Sequence, residues 1–442
     1  MVSPSQADRR ISESIEAQIH PDYHLLAKPA GAACNLGCKY CFFLSKENLY
    51  PVRESPLMDD VTLDRYLRQL MASSAGPQVE VAWQGGEPML RGLDFYRRSV
   101  QLAEKYRQPH QRILHTIQTN GTLIDDEWAA FFKSNGYLVG LSLDGPRAMH
   151  DAYRVDRSGR GTFDDVIRGW ECLRAHEVDV NVLCTINAAN ADHPVEVYRF
   201  FRDELQARYI QLIPIVERAT EQTIAFANQG WGGPRGRDRP LYRQSGSLVT
   251  ERTVEAAQFG NFLIGIFDEW VRQDVGKVYV TTFDVALGSW LGQHNACIVA
   301  PTCGNALVLE HNGDVYSCDH FVEPDHLLGN IADTTLEALV ASEKQRRFGQ
   351  SKSDSLPKAC RECPVLFACH GECPRNRFIR THDGEEGLNY LCAGYKAFFS
   401  HIDIPMKTMA KLITDGRYAD EIMDRPDDAS AARNGSLATG RS

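Results

Sequence analysis

Between Leu25 and Pro214 short apolar runs alternate with longer stretches in which apolar residues recur every three or four positions. The short runs Leu25–Lys28, Val79–Trp83, Leu114–Gln118, Leu138–Leu143, Val180–Thr185 and Tyr209–Ile213 predict strands. The longer ones, Leu63–Met71, Asp94–Tyr106, Asp126–Lys133, Phe163–Arg174 and Val195–Leu205, predict helices. Strands that alternate with helices at this spacing build a parallel sheet of the α/β class, and six of them suit an open sheet or a partial barrel.

The pattern then changes. Gln229–Gln244 is rich in Gly, Arg and Pro and reads as a solvated loop insertion, although its arginines would also suit an acidic or peptide partner. Glu255–Arg272 predicts a strong helix, and 297–400 reads as a small domain built around metal. After about Asp415 the chain turns polar and rich in small residues, so its end is expected to be disordered. The expected organisation is an extension over 1–23, a barrel over 24–245, a bridging helical segment over 246–296, a metal domain over 297–400, and a C-terminal helix and polar tail over 401–442.

Composition narrows the function. Lys and Arg total 48 against 58 Asp and Glu, a net charge of −10 that argues against a general nucleic-acid binder. No run reaches the roughly 18 apolar residues of a membrane span, and the first twenty residues lack the apolar core of a secretory signal. The expectation is a cytoplasmic protein without nucleic acid or membrane as partner.

Among the 13 cysteines, Cys172 and Cys184 stand apart among apolar neighbours and read as buried small hydrophobes. The other eleven form a triplet and a group of eight, and in a large chain without an export signal such clustering points to metal rather than disulfides. Cys34-x3-Cys38-x2-Cys41 follows the first predicted strand, where parallel folds place their chemistry. A [4Fe–4S] cube needs a ligand on each iron, so three thiolates leave one corner open to a substrate or cofactor. Zinc fits the triplet poorly, since it favours paired CxxC or histidine ligands. Cys297-x5-Cys303-x14-Cys318 and Cys360-x2-Cys363-x5-Cys369-x3-Cys373, with Cys392 after 18 residues, make two complete four-ligand sets. Two zinc sites remain the alternative there, and spacing does not choose the pairing.

Other segments carry weaker signals. Gly85-Gly86-Glu87-Pro88, Thr119-Asn120-Gly121 and Ser142-Leu143-Asp144-Gly145 follow the second, third and fourth strands. Each alone reads as a strand-end turn. Asp319 directly after Cys318 is either a loop cap or a base. His311 and His320 lie near ligand cysteines but are given no ligand role, because Cys fills every set.

Taken in order, CNLGCKYCFFLSKENLY, QGGEP, TNG, SLDGPRAMHDAYR, TCGNALVLEHNGDVYSCDHFVEP, CRECPVLFACHGECPRNRF and GLNYLCAGY resemble the radical S-adenosylmethionine (SAM) superfamily. The resemblance covers about residues 24–400 and is closest to the SPASM subgroup's anaerobic sulfatase-maturating enzymes. One departure is Phe42-Phe43, where many relatives carry Phe-Tyr.

The resemblance implies a partial (β/α)6 TIM-like barrel followed by a C-terminal iron–sulfur SPASM domain. It implies three [4Fe–4S] clusters and SAM, the first cluster held by Cys34, Cys38 and Cys41. One auxiliary cluster would take Cys297, Cys303, Cys318 and Cys373, the other Cys360, Cys363, Cys369 and Cys392. SAM contacts would come from Tyr40, Gly85, Gly86, Glu87, Ser142, Arg154 and Val216, and Asp319 would be the proton acceptor. In the family, a 5′-deoxyadenosyl radical takes a hydrogen atom from a Cys or Ser in a Cys/Ser-x-Pro-x-Arg motif, yielding Cα-formylglycine. The implied partners are an unfolded sulfatase polypeptide and an electron donor such as flavodoxin or ferredoxin. A rival within the subgroup is a maturase that crosslinks a ribosomal peptide. Those relatives often add an N-terminal peptide-binding domain, for which the 23 residues before the first strand are too few.

Overall fold

A computed structural model describes residues 23–50, 55–232 and 239–425. The expected extension over 1–22, the centre of the arginine-rich loop over 233–238 and the tail over 426–442 lie outside the described residues, as do 51–54. Six parallel strands carry the fold: β1 His24–Ala27, β2 Gln78–Trp83, β3 Arg112–Thr119, β4 Tyr137–Ser142, β5 Asp179–Ile186 and β6 Tyr209–Pro214. Each pairs in parallel with the next, in chain order. The crossovers contain the helices Asp60–Ser73, Leu93–Tyr106, Asp126–Ser134, Phe163–Ala175 and Pro194–Arg199, so the alternation is that of a (β/α)6 unit. Two of these helices begin on Asp caps: Asp59 accepts from the Thr62 amide at 2.7 Å, and Asp125 from the Trp128 amide at 3.0 Å. The last expected helix stops at Arg199 and continues as one wider π turn, Phe200–Glu204.

The sheet does not end at the barrel. Ala306–Leu309 pairs in parallel with the whole of β1, from His24 opposite Ala306 to Ala27 opposite Leu309. Asp314–Tyr316 and Leu327–Asn330 then extend the same sheet antiparallel, and Tyr279–Val280 adds to β6 at the far edge. The ten strands run in one linear order that does not close on itself. The cysteine-rich segment is therefore hydrogen-bonded to the first barrel strand across the boundary expected at 296/297. Asn312-Gly313 turns the hairpin, with Gly313 at φ 92°.

The bridging segment holds the helices Ala256–Gln273 and Thr281–Trp290. The first packs on Cys392–His401 where two glycines meet: a Cβ on Gly260 would lie 2.8 Å from the Gly394 Cα. That contact fixes the start of the helix carrying Cys392. The expected C-terminal helix is Asp403–Thr414. No helix among the described residues is long and apolar enough to cross a membrane.

Two expectations need correction. Cys184 is fully buried, but Cys172 is only partly buried: it packs at the edge of the main core and its sulfur donates to Asp126. The described flanks of the arginine-rich segment are not a solvated loop. Trp231, Arg239 and Tyr242 are buried, and the Trp231 amide donates to the Lys39 carbonyl at 2.9 Å. These flanks cover the triplet loop, because their aromatic rings need burial and find it against Phe42.

Candidate active site

The chain leaves β1 at Lys28 and passes over the strand ends as the loop carrying Cys34, Cys38 and Cys41. Cys38 is buried, and all three thiols pack with Leu36, Tyr40, Tyr153 and Ile215. The GGEP turn holds this loop from below. The Gly86 amide donates to the Gly31 carbonyl and the Glu87 amide to the Ala33 carbonyl, both at 2.8 Å. A Cβ on Gly86 would stand 2.1 Å from the Ala33 oxygen, so only glycine permits this approach.

Glu87 is fully buried, and its carboxylate accepts from the Met89 amide at 3.0 Å, the Thr119 hydroxyl at 2.8 Å and the Asn120 amide at 2.8 Å. Burial pushes its pKa up to about 7, against the pull of those donors. The Asn120 side chain donates to Asn35 at 2.9 Å, which returns the chain of bonds to the triplet. The three motifs thus form one hydrogen-bonded unit beside Cys34, with the Glu87 side chain as its brace.

A second network lies on the other side of the triplet. Tyr40 donates to Asp144 at 2.7 Å, Arg154 pairs with the same oxygen at 3.0 Å, and the Thr185 amide donates to the other oxygen at 2.9 Å. The Arg154 guanidinium lies 5.5 Å from the Tyr40 ring centre. Ser142 sits at the end of β4 and accepts from the Gln118 amide at 3.0 Å. Gly140 makes room for that amide, since a Cβ there would lie 2.0 Å from Gln118 Oε1. Val216 is not brought into this group. It belongs to the main apolar core, and its neighbour Ile215 packs beside Tyr40 instead.

All eleven clustered cysteines are free thiols. Burial pushes Cys38 up to about 12, opposed by Arg154. The eight C-terminal thiols fall into two neighbourhoods by the charges that reach them. After burial, Cys373 and Cys297 act on Cys318, and Cys297 acts on Cys303 and on Cys373. Cys392 and Cys363 act on Cys360, and Cys392 and Cys360 act on Cys369. Cys360, Cys363, Cys369 and Cys392 line one cavity of about 170 Å³.

No three of these eleven sulfurs come within 4.8 Å of one another among the described residues. The ligands of one tetrahedral zinc ion lie about 4 Å apart. Four thiolates in each set match a cube that binds one iron per thiolate. The buried Lys352 ammonium reaches the carbonyls of Cys297, Ile298 and Ala300 and so shapes the loop of the first set.

Asp319 comes to the barrel by an ion pair with Lys28. The Lys28 side chain is 2% exposed against 30% for Asp319, and its ammonium lies 3.3 Å from the Phe43 ring centre. Burial raises the Asp319 pKa, but the Lys28 ammonium, with Arg375, outweighs it and holds the carboxyl below its ordinary value. The His320 Nδ1 accepts from Arg375 at 3.0 Å, and burial, then Arg375, pushes that imidazole down to about 3. His320 is therefore neutral near pH 7.

Sequence reasoning missed Lys28 and Glu310. A charged residue at the C-terminal end of a parallel strand was the available signal for Lys28. Glu310 follows Leu309 at the corresponding end of the neighbouring strand. It is fully buried, and neither carboxylate oxygen has a hydrogen-bond partner.

Comparison with known proteins agrees with this geometry. Residues 29–201 match the radical SAM superfamily, and 297–364 match an iron–sulfur cluster-binding domain, SPASM. The chain is 43% identical to a serine-type anaerobic sulfatase-maturating enzyme of Bacteroides thetaiotaomicron, over 92% of this chain and 96% of that one. It is 33% identical to a cysteine-type enzyme of Clostridium perfringens, over 86% of this chain and 96% of that one. The solved structure of native anSMEcpe with bound AdoMet and Kp18Cys peptide superposes with a TM-score of 0.74 at 31% identity, covering 88% of this chain and 99% of that one. A barrel carrying the SAM motifs, continuous with a cysteine-rich domain and alike over nearly its whole length, places the chain in a family: it belongs to the anaerobic sulfatase-maturating enzymes, radical SAM enzymes with iron–sulfur clusters and a SPASM domain.

Proposed function

We propose that this enzyme oxidises a serine or cysteine in a Cys/Ser-x-Pro-x-Arg segment of an unfolded sulfatase to Cα-formylglycine, in the cytoplasm. Serine is the favoured target, because the relative at 43% identity is a serine-type enzyme. The observation that carries the reading is the Lys28–Asp319 pair, which sets a carboxylate from the cysteine-rich domain at the end of the strand that feeds the triplet.

Cys34, Cys38 and Cys41 would hold the first cluster. Cys297, Cys303, Cys318 and Cys373 would hold one auxiliary cluster, and Cys360, Cys363, Cys369 and Cys392 the other. When bound, SAM and the three clusters supply hydrogen-atom abstraction and electron transfer, with electrons from a carrier such as flavodoxin or ferredoxin. The chain's own residues supply placement and proton transfer. Gly85 and Gly86 would let the backbone approach the cofactor, and Glu87 fixes that turn against the TNG loop. Tyr40, Ser142 and Arg154 would line the cofactor's other sides, while Val216 belongs to the main core and its neighbour Ile215 packs beside Tyr40.

Turning CH2–OH into CHO removes two hydrogens and two electrons from the substrate residue: one hydrogen would leave as an atom in the chemistry SAM supplies, the other as a proton, and the electron left behind would pass to the auxiliary clusters. Asp319 is ionised at neutral pH through Lys28 and accepts the proton. Lys28 cannot act in this place, since its ammonium has no acceptor lone pair. For a cysteine target, hydrolysis of the thioaldehyde follows.

The test is anaerobic incubation of reconstituted enzyme, SAM and reductant with serine and cysteine forms of one peptide, read by mass spectrometry. Loss of two hydrogens from the serine peptide, trapped as a hydrazone, is the expected result. Cleavage of SAM with both peptides left intact, or formation of a crosslink, would overturn the reading.

A further inference from the structure

The outer face of the barrel carries a group of side chains that the reaction does not use. Cys172 and His176 stand four residues apart at the end of the helix Phe163–Ala175, with His176 as its cap. That spacing puts both on one face, a turn apart. The neighbouring helix Asp126–Ser134 packs against it and presents Asp126 from its first turn. The His176 Nε2 lies 3.0 Å from Asp126 Oδ1, and the Cys172 sulfur donates to the same oxygen at 3.6 Å. One donor atom from each of the three residues falls within 4.8 Å of the others. No residue of the triplet or of the group of eight belongs to this cluster.

We propose that Asp126, Cys172 and His176 form a surface site for a divalent transition-metal ion, with Zn²⁺ the best match. A thiolate, an imidazole and a carboxylate are the donor set zinc takes, at bonds of about 2.0–2.3 Å. A tetrahedral ion with such bonds spaces its ligands by about 3–4 Å, close to the distances seen here. The fourth position faces solvent: the Asp126 side chain is 91% exposed and that of His176 30%, so an ion can reach the three donors from outside and take the place of their hydrogen bonds. Asp125 adds a negative charge beside the thiol, and Arg168 opposes it. The bound ion would join two barrel helices that share no ion pair besides His176–Asp126 among those described. Its role is that of a clip on the outside of the barrel, apart from the iron chemistry within.

The test uses the fully iron-loaded enzyme, freed of zinc and titrated with Zn²⁺ by anaerobic equilibrium dialysis and metal analysis, with thermal melting alongside. One Zn²⁺ per chain is expected, with a higher melting temperature and unchanged iron. Cys172→Ser and His176→Gln should each weaken binding at least about tenfold, and neither should change iron content, since both lie at the surface. Three results would overturn the proposal: no saturable uptake below about 1 mM Zn²⁺, uptake unchanged in both variants, or uptake that rises only as iron is lost.

Discussion

Replacing Lys28 by Met removes one ammonium and keeps the apolar stem against Phe43. A pair of unit charges about 4 Å apart at an effective dielectric near 20 interacts by about 4 kcal/mol. The Asp319 side chain is 30% exposed, and water at that face roughly halves the figure, leaving about 2 kcal/mol, or about thirtyfold in the charged-to-neutral balance of the carboxyl. The sign follows from what remains. Lys28 holds the carboxyl below its ordinary value, so in the native enzyme the base stays ionised throughout the neutral range and is lost only in acid. Without Lys28, burial acts to raise the pKa against Arg375 alone, because His320 is neutral with a pKa near 3. The variant's carboxyl then keeps its proton to higher pH. Formylglycine formation should fall progressively as pH is lowered, toward a limit of about thirtyfold in acid, and the deficit should vanish as pH rises. The assay is single-turnover peptide oxidation across a pH series, with iron content and SAM cleavage measured on the same samples. An equal fractional loss at every pH would refute the electrostatic reasoning and leave Lys28 as a spacer.

Other outcomes follow from the same contacts. Gly86→Ala drives a Cβ into the Ala33 carbonyl, so the variant should lose the triplet's iron, about four of about twelve atoms, together with SAM cleavage, while the auxiliary iron remains by iron assay. Glu310→Gln replaces a buried carboxyl whose two oxygens have no hydrogen-bond partner, so melting should occur at higher temperature by calorimetry. Cys392→Ala should release one auxiliary cluster, about four irons, and leave uncoupled SAM cleavage in place, as read by Mössbauer spectroscopy and 5′-deoxyadenosine assay.

The six strands were legible because each is a short apolar run ending in a turn signal, and their ends fall within two residues of expectation. The cysteine sets were legible because clustering survives without knowledge of the fold. What the sequence hid depends on long-range partners. Ala306–Leu309 looks like a piece of a separate domain until β1 is found beside it. Cys172 looks apolar by its neighbours in sequence, yet it turns toward Asp126, 46 residues earlier. The arginine-rich segment is polar by composition, but its aromatic flanks decide its burial. Lys28 and Glu310 sit at strand ends, where a lone charge reads as a solubilising residue unless its neighbours are known.

The central claim is that Asp319 takes the substrate's proton. The direct measurement is the fate of a peptide deuterated at Cβ of the target residue with Asp319→Asn, anaerobically, with iron content shown unchanged because Cys318 is adjacent. Asn keeps the shape and loses the base. Deuterium should still appear in 5′-deoxyadenosine, while formylglycine falls by roughly 10²–10⁴. Formylglycine at the native rate would contradict the account and make Asp319 a loop cap, with another group as the base.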